Sequence, residues 1–141
     1  MAKAFSISVA AADAMLNAFG ALCNNGTVRL YDGSIPADVR TALGAQNVLA
    51  QLTMPATAFP TLGTSVNNRT LTAGTITDDS TADFGGTATF FRVFASAGNG
   101  GAAVWQGTVG TADADMIMLD TLIVQGGVVS ITSMVVSLPM T

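Results

Sequence analysis

Apolar residues change their spacing once along this chain, close to residue 26. Before it, Ala12, Met15, Leu16, Phe19, Leu22 and Cys23 recur every three or four positions, the pattern of one helical face. This predicts a helix over about residues 8–23, with Ser8 or Ser6 as its cap and Asp13 suited to its first turn. Ahead of it, Phe5-Ser6-Ile7-Ser8-Val9 alternates and reads as an arm or short strand. Asn24-Asn25-Gly26 then supplies residues that tolerate the left-handed backbone ending a helix.

Beyond Gly26 the spacing is two, the period of a strand. Strands are expected at 27–31, 48–54, 70–77, 87–95, 102–110, 117–119, 122–124 and 128–138, separated by turns such as Asp32-Gly33, Asp78-Asp79-Ser80 and Gln125-Gly126-Gly127. In 48–54, Val48, Ala50, Leu52 and Met54 alternate towards a core. Segment 34–45 reads as a loop with one helical turn near 38–43. Segment 55–68, holding two of the four prolines, reads as an extended surface loop that could reach a neighbour. The fold class is therefore mainly β: an antiparallel, jelly-roll-like β-sandwich with one N-terminal α-helix, in one domain spanning 1–141. The arm and helix occupy about 1–23, and the strands about 27–138.

Composition narrows what such a domain does. Half of the residues are hydrophobic but only 10% are charged, against about 25% in an ordinary soluble domain. So little charge implies a surface of small and hydroxyl residues, or one covered by partners. The net charge of −4 and the scattering of Lys3, Arg29, Arg40, Arg69 and Arg92 argue against nucleic acid, whose phosphates need clustered cations. No run approaches a membrane span. The stretch 3–14 imitates a signal peptide only loosely, so a soluble, unprocessed chain is expected.

The same composition disfavours catalysis. There is no histidine and no glutamate, and Cys23 is the single cysteine. The commonest general base and the usual thiol partner are thus missing, and Cys23 reads as a buried small hydrophobe. Asp78, Asp79 and Asp83 form one acidic group, and Asp113, Asp115 and Asp120 another. Either could in principle hold a cation or act as a carboxylate pair. Asp is also an ordinary turn residue, and neither group has calcium-loop spacing. No cofactor, metal or catalytic residue is expected, and Gly98-Asn99-Gly100-Gly101 lacks the Lys and helix of a phosphate loop.

Large side chains fall on both faces of 87–95: Phe91 and Val93 on one, Phe90, Arg92 and Phe94 on the other. One face could meet another subunit, or be covered by the helix or a second sheet. Trp105 and Tyr31 are open to the same two readings. The candidate interface residues are Phe5, Phe59, Phe90, Phe94 and Trp105.

A resemblance adds to this. The chain has an Ala-rich helix ending in Asn-Asn-Gly, then Val28-Arg29-Leu30-Tyr31-Asp32-Gly33 with Ile35-Pro36-Ala37-Asp38, and Val48-Leu49-Ala50-Gln51-Leu52. Gly86-Thr87-Ala88-Thr89-Phe90-Phe91-Arg92, Trp105-Gln106-Gly107-Thr108-Val109-Gly110 and Ile131-Thr132-Ser133-Met134 follow. This order resembles small virion structural proteins of tailed bacteriophages, most of all their jelly-roll capsid cement or decoration proteins. The resemblance implies a subunit made in the host cytoplasm and bound to the capsid exterior. Its implied partners are the major capsid protein and its own copies, as dimer or trimer. Alternatives are a tail or baseplate adaptor, or a carbohydrate- or host-binding β-sandwich using Trp105 beside Asp113 and Asp115.

Overall fold

The computed structural model describes residues 4–141. Helix α1 spans Val9–Leu22, capped by the Ser8 hydroxyl, which accepts from the Ala11 amide at 3.1 Å. Its buried stripe is Ala12, Leu16 and Gly20, continued by Cys23. Met15 and Leu22, expected on that face, are about half exposed. Asp13 lies past the first turn and is committed elsewhere. The helix ends as its sequence directs, with Asn25 at φ 55°.

Ten strands follow: β1 Thr27–Tyr31, β2 Val48–Thr53, β3 Thr61–Ser65, β4 Asn68–Thr72, β5 Gly86–Thr87, β6 Phe90–Phe94, β7 Ala103–Gly110, β8 Met116–Ile117, β9 Leu122–Ile123 and β10 Ser133–Pro139. Eight form one sheet in the order β2-β1-β6-β7-β8-β10-β4-β3, and β5 pairs with β9. The protein is mainly β with a single N-terminal helix, the sandwich class that the spacing predicts. Pairing is antiparallel throughout except at β7 and β8, which run parallel over two residue pairs. The short β8 thereby links the two halves of the sheet, β2-β1-β6-β7 and β10-β4-β3.

Both halves contribute to one core. Val28, Leu30, Leu52, Phe91 and Val93 come from the first half, and Leu71 and Met134 from the second. Helix α1 lies where they meet. Its Phe19 ring packs 5.8 Å from Trp105 of β7 and 6.1 Å from Phe59, and Trp105 stands edge-on to Phe91 at 4.7 Å. Such aromatic pairs add about 0.5–1.5 kcal/mol each beyond their burial. Gly20 permits the approach, since a Cβ there would lie 3.2 Å from Leu71 and 3.4 Å from Phe59.

Four expected segments differ: the strand expected at 70–77 ends at Thr72, and that expected at 87–95 is divided between β5 and β6, which pair in different sheets. Residues 55–68 are not one surface loop: Ala58 and Phe59 are buried, and β3 turns through Val66-Asn67 into β4. The Asn24 side chain makes this possible, accepting from the Ala58 amide at 2.8 Å and pinning the segment to the helix end. Residues 128–138 are not one strand either. Val129 bridges Asp79, and regular pairing starts only at Ser133.

Candidate functional site

The outer face of β1 and β6 carries Tyr31, Arg29, Phe90, Arg92 and Phe94, brought level by the pairs Tyr31↔Phe90 and Arg29↔Arg92. Loop 33–46 is bound across it. Arg92, the one buried charged residue among the described residues, donates from Nη2 to the carbonyls of Thr41 at 2.7 Å and Asp38 at 3.3 Å, and from Nε to the Gln106 side chain at 3.0 Å. Gln106 in turn donates to the Pro36 carbonyl at 2.8 Å. Charge-assisted bonds to backbone carbonyls suit a guanidinium with several fixed donors.

The base of the loop is closed by Asp32, whose carboxylate accepts from the Asn47 amide at 2.7 Å and its side chain at 3.0 Å. Those bonds hold the Asp32 carboxyl below the usual carboxylate range. Within the loop, Asp38 caps a single turn by accepting from the Arg40 and Thr41 amides. No helix forms there.

The five candidate interface residues are thus separated. Phe90 is fully buried and stacked on Tyr31 at 5.0 Å. Phe94 is half-buried, with the Arg29 guanidinium 4.5 Å above its ring. Phe59 and Trp105 are brought together at 6.4 Å, Phe59 buried and Trp105 half-buried. Only Phe5, 75% exposed on the arm, faces outward freely. Residues 1–3 of the expected N-terminal arm lie outside the described residues. The Trp105 ring is half-buried and in contact with Phe19, Phe59 and Phe91. Its indole N–H has no hydrogen-bond partner among the described residues. Burial pushes the Tyr31 phenol up.

Four of the six carboxylates in the acidic groups are engaged in hydrogen bonds. Asp79 accepts from the Gln51 and Thr81 amides, Asp83 from the Gln51 side chain, Asp115 from Thr108 and Asp120 from the Leu122 amide. Among the described residues, no three carboxylate or thiol groups converge as a metal site would require. Burial pushes the Cys23 thiol up to about 12, so it stays protonated near neutrality. No helix is long and apolar enough to cross a membrane.

The surface that stands out lies elsewhere. Leu119, 92% exposed, joins the exposed Leu122, Val124 and Val128 around a groove of about 320 Å³ floored by Met118, Ile123 and Val129. Asp120 is the one charged residue lining it. Phe84, two residues ahead of β5, is half exposed nearby in the chain that pairs with β9. Sequence reasoning placed strands and a turn here but not a surface. The available signal was Leu122-Ile123-Val124, three apolar residues in a row, which in a strand cannot all face one side. No family model matches this chain, and no curated protein or solved structure matches it either.

Proposed function

We propose that this protein is a non-catalytic structural subunit: a virion cement or decoration protein that binds the exterior of an icosahedral phage head and bridges capsid subunits. The observation that carries the reading is the apolar groove rim of Leu119, Leu122, Val124 and Val128, on a chain with only 10% charged residues. Contiguous exposed apolar surface of this kind marks contact with another macromolecule. The major capsid protein is the proposed occupant. Binding only the assembled shell would stabilise it by mass action, and repeated contacts around the particle would add avidity.

The test is cryo-electron microscopy of the particle encoded with this chain. Density for the fold on the outside of the head supports the reading. Density confined to the tail or baseplate replaces it with an adaptor role, and absence from the particle overturns both.

A further inference from the structure

The two ends of the eight-strand sheet are finished differently. At β2 the outer edge is covered. Thr53 and Thr77 exchange backbone hydrogen bonds of 3.2 and 2.9 Å, and the Asp83 amide donates to the Leu49 carbonyl at 2.8 Å. The Asp79 carboxylate takes the Gln51 amide between them, also at 2.8 Å. At the far end, β3 pairs with β4 and with no other backbone among the described residues.

An outer strand presents a row of main-chain donors and acceptors, which monomeric proteins usually blunt with charge, proline or a bulge. Thr61–Ser65 has none of these. Its sequence Thr-Leu-Gly-Thr-Ser is uncharged, Pro60 lies just outside it, and its register with β4 is unbroken over five pairs.

We propose that β3 is a self-association edge, where a second copy of this chain pairs antiparallel about a two-fold axis through Gly63. The occupant follows from the strand's own sequence. In a two-fold contact each position meets its mirror position, so Thr61 faces Ser65 of the other copy, Leu62 faces Thr64, and Gly63 faces Gly63. Hydroxyl meets hydroxyl at the ends, the Leu62 side chain meets the Thr64 side chain, glycine meets glycine at the centre, and no like charges are opposed despite the net charge of −4. The pairing extends the existing hydrogen-bond ladder across both subunits. Five residues of strand bury less than the roughly 1,200 Å² of stable complexes, so the dimer is weak in solution and strengthened where copies are held side by side. This contact does not depend on which assembly the chain joins.

Sedimentation equilibrium on the whole chain, taken to about 1 mM, tests it with two double variants at exposed positions. Wild type shows concentration-dependent dimer. Thr61→Lys with Ser65→Lys sets Lys against Lys and gives monomer, whereas Thr61→Glu with Ser65→Lys sets Glu against Lys and keeps the dimer. Matching thermal melts establish that all three are folded. A wild type that stays monomeric throughout, or two double variants that behave alike, overturns the proposal.

Discussion

Asp13 of α1 and Arg69 of β4 are joined by two charge-assisted hydrogen bonds, Nε to Oδ1 at 2.7 Å and Nη2 to Oδ2 at 3.1 Å. Both side chains are largely shielded from water, and Arg69 also donates to the Thr64 hydroxyl. The pair locks the helix to the strand next to the sheet edge. Asp13→Ala should therefore cost about 1–2 kcal/mol in chemical denaturation. Arg69→Ala should cost more, because Thr64 loses its donor as well. A double-mutant cycle with a coupling near zero would show that the pair contributes nothing.

Arg92 is the pin of loop 33–46. Arg92→Ala strips the loop of two carbonyl contacts and leaves the Gln106 side-chain oxygen without its donor. A loss of about 2–4 kcal/mol is expected. Hydrogen exchange should quicken selectively across residues 34–45, and a hydrophobic dye should bind the uncovered Phe90 face. Uniform exchange along the chain would mean the loop is held by something else.

Gly26 sits where two segments touch: a Cβ there would lie 2.2 Å from the Phe94 carbonyl oxygen and 2.9 Å from that of Cys23. Both obstacles are backbone and cannot swing aside. Gly26→Ala should cost about 3 kcal/mol or more, read as a lowered urea midpoint. Gly100→Ala, where a Cβ meets nothing within 4 Å but φ is +92°, is the comparison for backbone strain alone.

Asp32 makes stability depend on acid. Its folded pKa is lowered by hydrogen bonds from the Asn47 side chain and then the Asn47 amide. A depressed carboxyl contributes stability that is present above its unfolded pKa of about 3.9 and is lost as pH falls through the folded value. Asp32→Asn should therefore be less stable than wild type at neutral pH, with the gap closing below pH 4 in melts run across pH. A gap that persists unchanged in acid would sink the assignment.

The exposed groove should behave as surface, not core. Leu119→Ser with Leu122→Ser should leave the unfolding free energy within the scatter of ordinary surface changes, about ±0.5 kcal/mol, while lowering occupancy on isolated shells. Unaltered occupancy would remove this groove from the proposed contact.

Period and end signals made much of the chain legible. The three- and four-residue spacing and Asn24-Asn25-Gly26 placed α1 to within a residue at each end, and alternation placed β1 and β7 nearly to their ends. The two faces of β6 were also readable, since Phe90 to Phe94 are apolar on both sides. What covered the second face was not readable. That depended on Arg92 reaching carbonyls more than 50 residues away, and backbone acceptors leave no mark in sequence.

By itself, then, the sequence determined the local states: one helix, many short strands, turns at Asn, Asp and Gly, and a chain short of charge. Those follow from side-chain periodicity and backbone preference, which act within a few residues. Only the tertiary structure decided which apolar residues were left over. Phe59 and Phe90 were drawn inside by distant partners and Trp105 partly so, while Leu119, Leu122 and Val128 stayed out because Ile123 and Val129 already filled the space beneath them. Burial is a contest for a finite interior, and it is settled by the whole fold rather than by the residue.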